Sequence, residues 1–368
     1  MKVALIHDHL AQDGGAERVV QAFRKLYPDA PLFVLVHNPK RAHPSFRDAD
    51  IRTSFIQRLP YGSRLYQWYL NLMPTAVERY DLSGYDLVVS SASSFAKGVI
   101  TDPCTTHISY IHSPTRYLWS DTIQYVNDLP YPRPLKAIAS QALNRIRMWD
   151  RIAAERPDYL IANSRLVQER ITKYYRRPST VMYPPVETQR FSPSPTIGNY
   201  YLTGGRLVPY KRFDIAIQAF NKLGLPLKIY GSGPLEKTLR AMAKPNIEFL
   251  GRVPDDQMND LYSKAIAFIN PQVEDFGITV VEAMAAGRPV IAYGAGGALE
   301  TVNPNVSGVF FEDQEWESLA DTVLRFKPET FDPLKIRAWA DQFSVERFLR
   351  EFSTYAEKAR QEHQSSVH

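Results

Sequence analysis

Two glutamates stand eight positions apart in the stretch "EDFGITVVEAMAAG", residues 274–287. Eight residues at helical rise span about 12 Å. The two carboxylates of a glycosidase lie roughly 5 to 9.5 Å apart, around a single bond. Glu274 and Glu282 are therefore placed better for holding two parts of one extended ligand than for acid and base catalysis on one bond.

The helix that carries Glu282 is predicted from Gly277 or Ile278 to Ala286, because a strand-like run and a loop precede it and glycine and proline follow it. Glu274 then lies in the loop before the helix. Backbone amides of residues 276–279 are free to face an anion at the helix N-terminus. The alternative is that both carboxylates only stabilise that end of the helix.

Two further loops combine glycine or cationic residues with a predicted helix start. Arg206 and Lys211 follow a strand and two glycines, and a guanidinium with an ammonium beside helix-terminal amides suits a diphosphate. Gly14 and Gly15 lie where the first strand gives way to a helix, so their amides can approach an anion closely. The alternatives are a solvated basic turn and a tight structural turn.

His112 ends a strand in "ISYIHSPTRYLW", and Ser-Pro then breaks the strand. Ligands of open α/β sheets bind beyond the carboxyl ends of strands. We therefore expect the imidazole to face a cleft between domains, although a lone histidine is more often a buried core residue.

The missing motifs exclude several classes of enzyme. "GAGGALETV" lacks the third glycine of a dinucleotide fingerprint, and "GSGPLEK" lacks the spacing of a nucleotide-triphosphate loop. Zinc-protease, paired-cysteine and serine-hydrolase motifs are absent, and no carboxylate cluster indicates a metal. Basic stretches lack the aromatic signature of RNA binding, so no nucleic-acid partner is predicted.

Strand-length apolar runs that must position these residues alternate with helical patterns. They do not alternate between apolar and polar residues, as expected for parallel strands covered on both faces. The runs are 3–7, 32–37, 86–91, 108–112 and 159–164, then 200–205, 227–231, 247–251, 265–270 and 289–293. Two doubly wound α/β domains are predicted.

A proline-rich stretch at 183–198 separates the two series and predicts a linker. The predicted bounds are 1–187 for the N-terminal domain and 188–343 for the C-terminal domain. Residues 344–368 carry Phe348, Leu349, Phe352 and Tyr355 at helical spacing, so an amphipathic terminal helix is expected to pack on another element.

The chain has 368 residues, one cysteine and a formal net charge of +5. Residues 1–187 hold 24 Lys and Arg against 17 Asp and Glu, whereas residues 188–368 hold 20 against 22. The basic N-terminal half suits an anionic partner such as a pyrophosphate or a membrane surface. No signal peptide or membrane-spanning run is visible, so a cytoplasmic protein is expected.

In order along the chain, "DGGAE", "HSPTRYLW", "GRLVPYKR", "YGSGP" and "EDFGITVVEAMAAGRPVIAYGAGGALETV" resemble the retaining glycosyltransferases of family four. The resemblance implies the GT-B fold, with two Rossmann-like domains facing across a cleft. The C-terminal domain would hold most of the nucleotide-sugar donor. The terminal helix would cross back to the N-terminal domain.

Carried over by position, the resemblance gives these residues roles. Glu274 would bind hydroxyls of the donor sugar, Glu282 the ribose hydroxyls, and His112 a sugar hydroxyl beside the anomeric carbon. Arg206 and Lys211 would neutralise the departing diphosphate. Further donor contacts are implied for Gly14, Gly15, Gly231, Arg252, Val253, Asp275, Phe276, Gly277 and Ile278.

The family mechanism implied by the resemblance needs neither metal nor cofactor. Within the family, the motifs resemble those of bacterial mannosyltransferases of O-antigen and exopolysaccharide assembly. GDP-mannose and a glycan or polyprenyl-diphosphate-linked acceptor are expected. A different donor base, and an epimerase or hydrolase of the same fold, remain alternatives. The segment 61–80 has apolar residues at helical spacing and is interpreted either as a membrane-surface contact or as a core-facing helix.

Overall fold

The structure is a computed structural model, and it describes residues 1–12, 14–128 and 132–367. The chain forms two compact units. Unit 1 combines residues 1–183 with residues 348–368, and unit 2 is residues 184–347. The first division falls between Tyr183 and Pro184, inside the proline-rich stretch, and the sequence predicts it at 187–188.

Unit 1 is built on a seven-stranded parallel sheet of order β3-β2-β1-β4-β5-β6-β7. Its strands are β1 Val3–His7, β2 Leu32–Val34, β3 Ile51–Thr53, β4 Leu87–Ala92, β5 Thr106–Ile111, β6 Tyr159–Ala162 and β7 Thr180–Val181. Its helices are α1 Gly15–Leu26, α2 Met73–Glu78, α3 Thr122–Asp128, α4 Arg133–Ala153 and α5 Arg165–Tyr175. Every residue of β1, β4 and β5 is buried, because one apolar cluster covers each face of the sheet.

Unit 2 is built on a six-stranded parallel sheet of order β10-β9-β8-β11-β12-β13. Its strands are β8 Tyr201–Gly204, β9 Leu227–Tyr230, β10 Ile247–Gly251, β11 Phe268–Asn270, β12 Val290–Tyr293 and β13 Gly308–Phe311. Its helices are α6 Phe213–Leu223, α7 Glu236–Met242, α8 Met258–Ser263, α9 Ile278–Ala285, α10 Ala298–Thr301, α11 Trp316–Arg325 and α12 Pro333–Ala340. The predicted doubly wound α/β class is confirmed for both units.

The last helix, α13 Val345–Val367, returns to unit 1. Phe348, Phe352, Ala356 and Ala359 belong to the apolar cluster on one face of the seven-stranded sheet. The ring centroids of Phe352 and Phe23 of α1 are 4.5 Å apart. The predicted packing of the terminal helix on the N-terminal domain is confirmed, while His368 lies outside the described residues.

The continuous helix suggested by the spacing in 61–80 does not form. Residues Tyr66–Leu72 are a 3₁₀ helix with a kink at Tyr69, and α2 follows it. Pro74 lies in the first turn of α2, where its missing N–H leaves no bond back into the preceding turn. Because the segment bends, its apolar residues divide: Val77 is buried, whereas 71% of Trp68 is exposed.

Candidate active site

Lys211 and Glu274 meet in unit 2. Lys211 ends the 3₁₀ turn Pro209–Lys211 after β8, and Glu274 lies in the loop between β11 and α9. The Nζ of Lys211 donates to Oε1 of Glu274, and Nε2 of Gln272 donates to the same oxygen over 3.1 Å. The Lys211 and Glu274 side chains are only 12% and 16% exposed. The structure thus brings together two of the predicted catalytic residues.

Arg206, the other cation of the predicted diphosphate site, differs from Lys211 in its exposure and its contacts. Arg206 is exposed, and its guanidinium makes no hydrogen bond or ion pair with any residue that the structure describes. Arg212, next to Lys211, adopts a left-handed backbone with φ of 50° and bonds both Asp214 and Gln314. Gln314 in turn donates to the carbonyl of Pro271 over 3.0 Å. These bonds hold the Lys211 turn against the loop that carries Glu274.

Helix α9 begins as predicted, with Gly277 as its N-cap at φ +96° and Ile278 as its first residue. The preceding loop, which contains Asp275 and Phe276, packs backbone to backbone against the turn after β12. A Cβ on Gly297 would lie 2.5 Å from Cα of Phe276, and the Gly297 N–H donates to the Glu274 carbonyl over 2.8 Å. The loop before α9 is therefore fixed by a neighbouring turn.

Three loops meet at Gly231. Its φ is +107°, and a Cβ there would collide with the carbonyl oxygen of Gly205. The N–H of Gly231 donates to the Gly251 carbonyl over 2.7 Å. Gly231 therefore joins the carboxyl ends of β8, β9 and β10. The exposed Arg252 and the half-buried Val253 follow Gly251, the last residue of β10.

Glu282 lies in the second turn of α9, as predicted. Its Oε2 accepts a hydrogen bond of 3.1 Å from the hydroxyl of Tyr262, which lies 2.5 Å from the hydroxyl of Tyr230. Tyr262 is 1% exposed. No pattern in the sequence indicated this partner, because a tyrosine in the short helix α8 resembles an ordinary core residue.

In unit 1, Gly14 is the N-cap of α1 and Gly15 is the first residue of that helix. Gly14 has an extended backbone with φ of −159°, which any residue adopts. A Cβ on Gly14 would lie 3.1 Å from Oε2 of the buried Glu17. The neighbouring Asp13 of the "DGGAE" motif lies outside the described residues.

His112 follows the last residue of β5. Its Nε2 lies 2.7 Å from Oγ of Ser91, and its carbonyl accepts from Nδ2 of Asn163 over 2.8 Å. Burial lowers the pKa of His112 to about 4, with a further contribution from the charge of His7. His112 is therefore neutral at physiological pH and takes part in hydrogen bonds rather than in ion pairs.

Beside His112 lies a buried pair that sequence reasoning missed. Nε2 of His7 is 3.7 Å from Oε1 of Glu17, and both side chains are at most 2% exposed. Burial lowers the pKa of His7, but the Glu17 carboxylate outweighs burial and raises it. Burial raises the pKa of Glu17, but the nearby His7 imidazole outweighs burial and lowers it. Each partner thus favours the charged form of the other.

A second buried ion pair anchors the loops after β4 and β5. Asp150 of α4 accepts hydrogen bonds from Lys97 over 2.5 Å, Thr115 over 2.9 Å, Trp119 over 2.7 Å and Tyr175 over 2.9 Å. Lys97 and Asp150 are each 1% exposed. The carboxylate thus fixes the segment that follows His112.

The described parts of the chain contain neither a metal-binding cluster nor a membrane-spanning helix. No three His, Cys, Asp or Glu side chains there are grouped so that they could hold a metal ion. No helix among residues 1–12, 14–128 and 132–367 is both long and apolar enough to cross a bilayer. Independence of a metal stays a prediction.

Two family models match adjoining parts of the chain. Glycosyltransferase Family 4 matches residues 13–190, and Glycosyl transferases group 1 matches residues 186–335. The chain belongs to glycosyltransferase family 4. The resemblance of the motifs is thereby confirmed at the level of the family, and both the Lys211–Glu274 pair and α9 lie in the group 1 match.

Two relatives of this family 4 chain show how far the similarity extends. A GDP-mannose-dependent alpha-(1-6)-phosphatidylinositol monomannoside mannosyltransferase of Mycobacterium tuberculosis is 34% identical over 170 residues, 38% of this chain and 44% of that protein. The match thus spans less than half of the relative's length. An uncharacterized glycosyltransferase of Methanocaldococcus jannaschii is 29% identical over 331 residues, 88% of each chain.

The fold of the family 4 chain also matches a solved structure. The Anabaena protein HepE in complex with UDP-glucose superposes with a TM-score of 0.69 at 19% identity, covering 97% of this chain and 100% of HepE. Together with the two Rossmann-like parallel sheets, this likeness confirms the GT-B α/β fold.

Proposed function

We propose that the protein is a retaining glycosyltransferase that moves a hexose from a nucleotide sugar to a glycan or lipid-linked acceptor. The observation that carries the proposal is the Lys211–Glu274 pair before the N-terminus of α9, in a chain of this family. A cation, a carboxylate and helix-terminal amides together suit a diphosphate bonded to a sugar. Family membership supports transfer to an acceptor over hydrolysis.

The proposed step forms one bond and breaks one. An acceptor hydroxyl oxygen bonds to the anomeric carbon on the face from which the diphosphate leaves, as the bond from that carbon to the phosphate oxygen breaks. The departing phosphate takes the hydroxyl proton. Arg206 and Lys211 stabilise the negative charge that develops on the phosphate, and Glu274 holds sugar hydroxyls. Neutral His112 binds a sugar hydroxyl. No protein nucleophile takes part.

Mannose from GDP-mannose is the donor that we propose. The mycobacterial relative, whose name states GDP-mannose dependence, supports this choice. A uridine nucleotide sugar is the alternative, favoured by the UDP-glucose bound to HepE. An epimerase or hydrolase of the same fold is the second alternative. We place the reaction in the assembly of a surface polysaccharide such as O-antigen.

A thermal-shift panel of nucleotide sugars tests the donor. A ligand stabilises the folded protein according to its concentration relative to its dissociation constant. We expect GDP-mannose to raise the unfolding temperature more than UDP-glucose or UDP-galactose at the same concentration. Preferential stabilisation by a uridine sugar would overturn the choice of donor.

Product analysis with radiolabelled donor tests the reaction type. With an acceptor present, the label is expected in a lengthened glycan whose linkage keeps the anomeric configuration of the donor. Hydrolysis or epimerisation of the donor without any transfer would exclude a glycosyltransferase.

We also propose that unit 1 contacts the cytoplasmic face of the membrane, where a polyprenyl-linked acceptor resides. Helix α4 supports this, because it has an exposed apolar stripe opposite its core-facing side. Ile138, Met148 and Ile152 are 64%, 56% and 60% exposed, and Arg145 lies on the same stripe. Exposed apolar side chains flanked by cations suit an anionic lipid surface.

Flotation with lipid vesicles tests the contact. Wild-type protein should float with vesicles that contain anionic phosphatidylglycerol and remain unbound with purely zwitterionic vesicles. The double variant Ile138→Ser, Ile152→Ser should lose most of the binding. Leu324→Ser is the matched control, because Leu324 is 70% exposed in unit 2. Equal binding by all three proteins would contradict a contact through α4.

A further inference from the structure

A chain of two buried tyrosine hydroxyls ends on the carboxylate of Glu282. The hydroxyl oxygens of Tyr230 and Tyr262 are 2.5 Å apart, and the Tyr262 hydroxyl donates to Oε2 of Glu282 over 3.1 Å. Tyr230 and Tyr262 are 8% and 1% exposed. Neither tyrosine has a role in the function proposed above.

The direction of this chain follows from its proton count. An ionised carboxylate only accepts hydrogen bonds, and each phenol has a single proton to donate. The Tyr262 hydroxyl therefore donates a hydrogen bond to Glu282, and the Tyr262 oxygen accepts a hydrogen bond from the Tyr230 hydroxyl. Burial raises the pKa of Tyr262 well above its ordinary value, so the hydroxyl keeps its proton. The same cause acts on Tyr230.

The ring of Tyr262 is held by aromatic neighbours on two strands and in the segment before β8. Its centroid lies 5.6 Å from that of Phe191, 5.6 Å from that of Phe268 in β11 and 5.9 Å from that of Tyr230 in β9. A ring packed in this way does not reorient easily. The hydroxyl is therefore fixed in place before any ligand binds, and so is the carboxylate oxygen that it contacts.

We infer that Tyr262 is a positioning residue for the nucleotide-sugar donor, which orients the Glu282 carboxylate, and that Tyr230 supports it through the shared hydrogen bond. The inference rests on the proposed function, in which Glu282 binds the ribose hydroxyls. A carboxylate that is already oriented loses less rotamer freedom when the donor binds. The tyrosines then improve donor affinity without touching the donor.

Steady-state kinetics with donor as the varied substrate test the inference. Tyr262→Phe keeps the packed ring and removes one hydroxyl. We expect it to raise the KM for donor about three- to tenfold, the range for one lost hydrogen bond and one freed side chain, and to leave kcat within about twofold. Tyr230→Phe should raise the KM less, because it weakens the bond to Glu282 only through Tyr262.

Two comparisons separate positioning from a general loss of packing. Tyr200→Phe is the matched control, because Tyr200 is a buried tyrosine of unit 2 whose hydroxyl donates to the Leu261 carbonyl over 2.8 Å. It should leave the KM unchanged. In a Glu282→Ala background, Tyr262→Phe should no longer raise the KM, because the residue through which it acts is missing.

The outcomes distinguish the inference from the function on which it rests. An unchanged KM in Tyr262→Phe, a rise equal to that in Tyr200→Phe, or a rise that persists in Glu282→Ala would overturn the inference while wild-type transfer stands. Wild-type protein that neither binds nor turns over any nucleotide sugar would overturn the proposed function, and the inference with it.

Discussion

Glu274 is already bonded twice within unit 2, to Lys211 and to Gln272. Replacing it with alanine would leave the largely buried Lys211 ammonium without its partner and so mix a loss of stability with a loss of chemistry. Glutamine keeps the shape of the side chain and its ability to accept a hydrogen bond. Glu274→Gln is therefore the cleaner substitution for testing the site.

We predict unequal losses for the two glutamates of α9 and its preceding loop. Glu274→Gln should lower kcat about 100-fold or more, as for other groups that act at the reacting centre. Glu282→Gln should mainly raise the KM for donor. Initial-rate kinetics measure both, and circular dichroism confirms that each variant is folded. Equal effects on kcat would contradict the division of roles between sugar and ribose.

At the scale of residues, the sequence indicated Lys211 and Glu274 because each follows a strand within a motif of the family. It did not indicate the contact between His7 and Glu17 or the contact between Tyr262 and Glu282. His7 and Glu17 belong to a strand and a helix, and Tyr262 precedes Glu282 by a full β strand and loop. Such contacts depend on how elements pack, and residue spacing along one element does not describe packing between elements.

At the scale of elements, glycine is required where the loops after β8, β9 and β10 meet. We predict that Gly231→Ala destabilises unit 2 by about 2–4 kcal/mol, since it combines a strained positive φ with a backbone collision. Gly224→Ala is the matched control: its φ is +70°, but nothing lies within 4 Å of its Cβ. It should cost only about 1 kcal/mol. Urea unfolding measures both.

An equal loss in the free energy of unfolding for the two glycine variants would contradict the prediction. It would show that the close approach of Gly231 to the Gly205 carbonyl does not add to the loss. The control is well matched because both glycines lie in unit 2 and both have positive φ.

The Lys97–Asp150 pair leads to a second prediction at this scale. Lys97→Met should cost about 3–5 kcal/mol, because it leaves a buried carboxylate without its cation. The double variant Lys97→Met, Asp150→Asn should recover part of that loss, since no buried charge then remains. Chemical unfolding of the wild type, both single variants Lys97→Met and Asp150→Asn, and the double variant measures the losses. If the double variant lost the sum of the two single losses, the pair would not act as a unit.

Strand prediction succeeded for every central strand of the two sheets. Each of the ten apolar runs overlaps a strand, including the edge strand β10, but the other edge strands β3, β7 and β13 were missed. Edge strands are short and partly exposed, so β3 "IRT" lacks an apolar run. The prediction for segment 61–80 was wrong for a different reason. Its spacing suggested one continuous helix, but Pro74 in the first turn of α2 restricts that helix to the end of the segment.

At the scale of the whole molecule, two neutral histidines make unit 1 sensitive to acid. Burial lowers the pKa of His107 to about 3 and that of His112 to about 4. The unfolded chain binds these protons near the ordinary value of 6.5. Their contribution to stability is therefore complete above pH 6.5 and is lost as the pH falls towards the folded-state values.

We predict that the free energy of unfolding falls by up to about 1.4 kcal/mol per pH unit for each of these histidines below pH 6.5. His107→Gln should make the change between pH 7 and pH 4.5 smaller. His43→Gln, at a partly exposed histidine, is the control. Urea titrations at several pH values measure the slopes, and identical slopes in all three proteins would contradict the prediction.

Unit 1 is interrupted in sequence by unit 2, and this has a consequence for synthesis on the ribosome. Phe348, Phe352 and Ala356 complete a core whose other residues are made far earlier. Unit 2 is continuous and has all its residues once position 347 has emerged. The part of the chain translated first thus completes its core last. Until α13 emerges, the part of this sheet face that α13 covers is exposed and open to chaperones.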